Sequence, residues 1–196
     1  MIRHSLPTLG NEEADAVAAV IRSENIAQGV EIEAFERETA DFVGRKHGVA
    51  VSSGTAALHL SLAALNADST TIAAIPDYAC ASLVTAAKLQ GVRAHLVDIG
   101  EQFNIHVKQI PQNADISIVP NLFGGIAELP ESTVVIEDIA RSIGGETGKG
   151  SSVAVASFYA TKLMTTGEGG MVLTDDQSIA EFVRDRRDYD NRDTLV

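Results

Sequence analysis

The sequence predicts an α/β fold in three layers, a mostly parallel sheet of seven strands with helices on both faces. Three observations predict it. From residue 48 onward the chain breaks into short apolar runs of five or six residues, too short for helices and too apolar for loops. Helical stretches alternate with the earlier runs, a pattern that sets strands parallel and covers both faces of the sheet. Polar residues suited to chemistry fall at or just past the ends of several runs, where such sheets collect ligands.

Taken in order, residues 12–23 read as a first helix, and a turn at Gly29 leads into a second over 30–43. In the second, Ile32, Phe35, Thr39 and Phe42 recur at helical spacing, and Glu31, Glu33, Glu36 and Glu38 form the expected solvated face. The candidate strands are 48–53, 71–75, 93–98, 115–119, 133–137, 153–158 and 170–174. Residues 55–65 are apolar almost all round, which predicts a buried helix. Several later connections are too short for a full helix, so at least one antiparallel pairing is expected. The charged stretch 184–190 reads as a solvated, frayed helix.

The chain has 196 residues, 45% of them hydrophobic, which predicts one structural domain with a substantial core. Within it, residues 1–47 are expected as a helical segment packing on a larger unit, 48–196. A formal charge of -12 argues against nucleic acid or an anionic membrane as partner and favours a small molecule. One cysteine, Cys80, excludes an internal disulfide. No signal-peptide pattern opens the chain, and no apolar stretch approaches the ~20 residues that span a bilayer. The expected location is cytoplasmic. The five histidines fall in no metal-ligand spacing, so no metal site is expected.

Lys162 stands in a Gly/Thr-rich turn between the sixth and seventh apolar runs. A lysine so close to a sheet is partly desolvated, which lowers its pKa and frees a nucleophilic amine for Schiff-base chemistry. A plain surface lysine is the competing reading. Ser53-Gly54-Thr55 opens the buried helix, where free N–H groups, the helix dipole and the Thr55 hydroxyl suit an anion. The same residues also fit a simple N-cap. No Walker A or G-x-G-x-x-G sequence is present, which leaves the phosphate of a compact ligand. Asp138 ends the fifth run as a partly buried carboxylate in need of a cation. A protonated pyridine nitrogen, an N-cap role and a pairing with Arg141 all satisfy it.

These residues lie in an ordered series: Pro7-Thr8-Leu9-Gly10, Gln28-Gly29, Ser53-Gly54-Thr55-Ala56-Ala57-Leu58, Glu137-Asp138 and Gly167-Glu168-Gly169-Gly170. The series resembles the DegT/StrS family of sugar aminotransferases, pyridoxal-phosphate enzymes of fold type I, over nearly the whole chain. The resemblance implies a seven-stranded large domain, with the family's smaller C-terminal domain absent from this chain. It implies pyridoxal 5'-phosphate as cofactor, covalently held by Lys162. Gly54, Thr55 and Ser157 would bind the phosphate, Asp138 the ring nitrogen, and Ala140 the ring face. It further implies a homodimer sharing the region of Gln28-Gly29, with glutamate as amino donor and a keto-sugar nucleotide as acceptor. Lys162 argues against the dehydratase branch, where histidine replaces the lysine.

Three positions depart from the family pattern. Cys80 stands where an aromatic residue commonly stacks on the ring, with Tyr78 as a nearby substitute. Arg141 replaces a common glutamine, and Asn121 replaces a histidine. A second reading is a non-catalytic or incomplete protein of the same fold, with a binding or regulatory role or with its site completed by a second chain.

Overall fold

The computed structural model describes Ser5 and residues 7–187. Each apolar run forms a strand: β1 His47–Val51, β2 Ile72–Pro76, β3 Arg93–Val97, β4 Ile116–Pro120, β5 Val134–Asp138, β6 Val153–Ser157 and β7 Gly170–Thr174. They make one sheet in the order β1-β7-β6-β5-β4-β2-β3. The pairs β2–β3, β2–β4, β4–β5 and β5–β6 are parallel, while β7 runs antiparallel to both of its neighbours. Residues 158–169 include no helix to carry the chain back over the sheet, so the strand after them returns in the opposite sense. The connections into β5 and β6 also lack an α-helix, yet they cross as irregular chain and join parallel strands. Among the sheet strands of the described residues, antiparallel pairing is therefore confined to β7. With β1 parallel in direction to β6, the carboxyl ends of β1, β2, β4, β5 and β6 share one edge with the start of β7.

The helices are α1 Asn11–Arg22, α2 Val30–Val43, α3 Gly54–Ala64, α4 Ser82–Gln90 and α5 Gln177–Arg187. Side chains alternate across each strand and so feed two layers of core. On one face Val49, Val153, Val155 and Val172 meet Leu58 and Leu62 of α3, Leu83 of α4 and Val183 of α5. On the other, Ala154, Ala156, Met171 and Leu173 meet Ala40 and Val43 of α2. Further along that second face, Val119 and Val135 are covered by loop residues such as Ile105 and Ala127. Helices therefore lie on both faces, but the second face is only half helical.

The apolar stripe expected on α2 is rotated in the fold. Phe42 is exposed, and Glu36, expected in solvent, is buried with Thr39, Ala40 and Val43. Its Oε1 accepts the Ala50 N–H at 2.8 Å and a bond from the Arg187 guanidinium. A carboxylate is buried here because it finds both a cation and a strand-edge donor. Of the charged stretch 184–190, residues 184–187 close α5, and residues 188–190 lie outside the described residues. Within segment 1–47, α2 lies on the sheet, whereas α1 buries no residue and leaves Val17 and Ile21 59% and 63% exposed.

Arg45, directly after α2, holds the helix-free connection between β5 and β6. Its buried guanidinium donates to the Gly148 carbonyl, to Ser151 O at 2.6 Å and Oγ at 2.9 Å, and to Asp175 Oδ2 at 2.9 Å. Arg45→Met keeps the aliphatic stem but orphans these acceptors. It is expected to cost about 2–4 kcal/mol, read as a lower urea midpoint at unchanged slope.

Candidate functional site

At the shared edge the strand ends enclose a cleft of about 250 Å³ between the sheet, the start of α3 and the turn before α4. α3 begins there because Ser53 is its N-cap: the Ser53 hydroxyl accepts the Ala56 N–H at 3.1 Å. Capping is thus done by Ser53, which leaves the N–H groups of Gly54 and Thr55 and the Thr55 hydroxyl, on two residues that line the cleft, without a bond to another described residue. A Cβ on Gly54 would stand 2.9 Å from the Ser157 Cβ, so glycine is what lets the helix start approach the end of β6. Two hydroxyls, two N–H groups and a helix dipole converge, a donor set that suits phosphate.

The lysine turn is folded by its own backbone. Phe158 N–H donates to Gly169 O at 2.9 Å, Thr166 N–H to Phe158 O at 3.0 Å, and Lys162 N–H to Tyr159 O at 2.9 Å. The Thr165 hydroxyl adds a 3.0 Å bond to Phe158 O. Phe158 roots the turn in the core, edge-on to Phe35 of α2 with ring centroids 4.9 Å apart. Lys162 reaches the cleft from this turn and Asp138 from the end of β5.

Burial lowers the Lys162 pKa, helped by the Arg141 charge and opposed by Asp138 and Cys80. Burial also raises the Asp138 pKa, against a 2.9 Å bond from the Ala140 N–H and the charges of Lys162 and Arg141. The two shifts have opposite consequences. A raised carboxyl makes the fold less stable as pH climbs from the ordinary carboxylate range through its own midpoint. A depressed amine contributes stability above its ordinary pKa, and that contribution is lost as pH falls through the folded value. Lys162 is therefore expected to react with pyridoxal phosphate at lower pH than a free lysine. Asp138→Asn removes the neighbour that supports its charge and is expected to move the reaction profile lower still, read from the rate of adduct formation against pH.

Gly54, Thr55, Cys80, Asp138, Ala140, Ser157 and Lys162 are brought together around the cleft. Tyr78 is not: the turn after β2 sends it outward, 52% exposed, against Phe103 at 5.9 Å. Cys80 therefore lines the cleft without Tyr78 beside it. Arg141 is exposed and lies outside the lining, acting on the site through its charge. No helix follows Asp138 for it to cap, and it forms no salt bridge with Arg141. Leu58, Ser82, Val155, Tyr159 and Glu168 also line the cleft. Leu58 and Glu168 belong to the motif series, and Val155 and Tyr159 stand two residues either side of Ser157, which were the available signals; Ser82 carries none.

A sheet in this order, with lysine, aspartate and a helix start at one edge, has the fold of the large domain of fold-type-I aminotransferases. The match to the DegT/DnrJ/EryC1/StrS aminotransferase family extends over residues 7–192, and the chain belongs to that family. It is 35% identical to an uncharacterized protein of Methanocaldococcus jannaschii, over 94% of this chain and 54% of the relative. It is 32% identical to the spore coat polysaccharide biosynthesis protein SpsC of Bacillus subtilis, over 92% and 51%. Among solved structures it resembles PseC of Helicobacter pylori, an aminotransferase involved in the biosynthesis of pseudoaminic acid, at TM-score 0.84 and 25% identity, covering 93% of this chain and 54% of PseC. It also resembles an aminotransferase from Psychrobacter cryohalolentis, at TM-score 0.82 and 26% identity, covering 91% and 50%. The chain spans about half the length of the curated relatives it matches.

Proposed function

We propose that this chain holds pyridoxal 5'-phosphate through Lys162 and serves amino transfer from glutamate to the keto group of a nucleotide-linked sugar, as a dimer of two copies. The observation that carries the reading is the meeting of Lys162 and Asp138 in one cleft beside the uncommitted donors at the start of α3. Family membership and the similarity to SpsC and PseC support the sugar class.

The N–H groups of Gly54 and Thr55, with the hydroxyls of Thr55 and Ser157, would bind the phosphate. Asp138 would keep a proton on the ring nitrogen by opposing its positive charge. Bound there, pyridoxal phosphate supplies an electron sink for the amino-bearing carbon. Lys162 would provide the covalent attachment and, once released, would take up and return a proton, for which its depressed pKa suits it. The apolar wall of Leu58 and Val155 keeps bulk water from that side of the cleft.

The test is the visible spectrum of the protein with pyridoxal phosphate, then borohydride reduction and peptide mapping, then turnover with glutamate and a keto-sugar nucleotide. A visible band with the reduced adduct on Lys162, followed by glutamate consumption, is expected. Absence of the adduct would sink the cofactor assignment, and an adduct without turnover would sink the proposed reaction.

A further inference from the structure

Strand β5 carries two neighbouring carboxyl groups, and only one faces the cleft. Asp138 shares a face with Ile136 and the α3 side of the sheet, while Glu137 shares the opposite face with Val135. Glu137 is 3% exposed. Its Oε1 accepts a 2.7 Å bond from Asn121 Nδ2, and its Oε2 has no hydrogen-bond partner among the described residues. A carboxyl buried with one oxygen unpartnered works against stability, and an apolar side chain of similar volume would be easier to bury there. Stability does not account for Glu137, so the group it secures is the place to look.

That group is Asn121, just past the end of β4 and 1% exposed. Three of its polar groups are committed, each in a different direction. Its backbone N–H donates to Asp138 O at 3.0 Å, its Oδ1 accepts the Ala127 N–H at 2.7 Å, and its Nδ2 donates to Glu137. One asparagine thereby ties the end of β4 to the end of β5 and to the returning loop at residue 127.

We propose that Asn121 and Glu137 are positioning residues for Asp138: a brace behind the sheet that fixes the end of β5 and so aims the next side chain into the cleft. The inference rests on the functional reading above, in which Asp138 faces the ring nitrogen of the cofactor. Successive side chains of a strand point to opposite faces, so holding Glu137 on one face sets the rotation of the strand at Asp138. The Asn121 bond to the Asp138 carbonyl holds the same residue along the strand. Such outer supports matter because a site group must be held to within a fraction of an ångström of its working geometry.

The experiment compares Glu137→Gln, Glu137→Leu and Asn121→Ala with the unaltered chain. Glu137→Gln keeps an oxygen able to face Asn121 Nδ2, whereas Glu137→Leu fills the space and removes the acceptor. Two readouts are used: the titration of Asp138 in the cofactor-free protein by carboxyl-carbon NMR, and the affinity for pyridoxal phosphate by absorbance. Glu137→Gln is expected to match the unaltered chain in both. Glu137→Leu and Asn121→Ala are expected to free the end of β5, so that Asp138 turns further into the open cleft and its midpoint moves down toward the ordinary carboxylate range. Both should weaken cofactor binding by about tenfold, the usual size of an outer-shell effect. If either folded variant leaves the Asp138 midpoint where it was, the brace is overturned, whatever happens to the melting temperature. If the unaltered chain binds no pyridoxal phosphate, the functional reading has failed, and the NMR midpoints alone still decide the brace.

Discussion

Lys162→Ala is expected to abolish the covalent cofactor adduct and to lower amino transfer by at least about 10³-fold, roughly 4 kcal/mol of transition-state stabilisation. Lys162 is the lysine that lines the cleft, and its side chain makes no hydrogen bond to another described residue. The loss should therefore fall on chemistry and leave the fold within about 0.5 kcal/mol of its starting stability. Lys162→Arg is the sharper variant. It keeps a positive charge beside Asp138 but presents a guanidinium that is never neutral, so it too should form no adduct. Spectra after borohydride reduction, read beside urea melts of the same samples, separate the two effects. A normal adduct in Lys162→Ala would move the covalent site to another lysine and remove the basis of the proposed mechanism.

Gly170→Ala is expected to be the most damaging small substitution in the chain. A Cβ at Gly170 would lie 2.3 Å from both the carbonyl carbon and oxygen of Ser53, and 2.6 Å from the Gly54 nitrogen. All three are backbone atoms of the turn that starts α3, so no side chain can swing aside. The strand opening β7 or the helix start must shift, at a cost of roughly 3 kcal/mol or more. The same shift would displace the N–H groups offered to phosphate. Gly170→Ala should therefore lose cofactor affinity together with stability, unlike Lys162→Ala. Urea unfolding and a pyridoxal phosphate titration on the same variant test this coupling. Retained affinity at full stability would mean that the Ser53 turn yields easily and that its close approach to β7 has no bearing on the site.

Much of the fold was legible because its signals are local. The strands could be read because most are short, largely apolar runs bounded by polar or turn-forming residues. Asp138, Ser157 and Lys162 stood out because they lie at or beyond strand ends, where a parallel sheet opens its ligand edge. Glu36 shows where local reading stops. Its place among other glutamates suggested solvent, yet it is buried because Arg187, 151 positions later, reaches it. Tyr78 and Cys80 show the same limit at the site. Two residues apart in one turn, they part because the outer one finds Phe103 in another loop.

The sequence by itself determined the apolar runs, the α3 start at Ser53, the lysine turn and the aspartate at the end of β5. Each depends on contacts between residues close in the chain, through periodicity, capping and turn chemistry. Only the tertiary structure decided that β7 inserts between β1 and β6. It alone brought Gly170 against Ser53 and set Glu137 and Asn121 behind Asp138. Those outcomes depend on which distant surfaces meet, and a linear pattern of polar and apolar residues does not specify the partner of a buried atom.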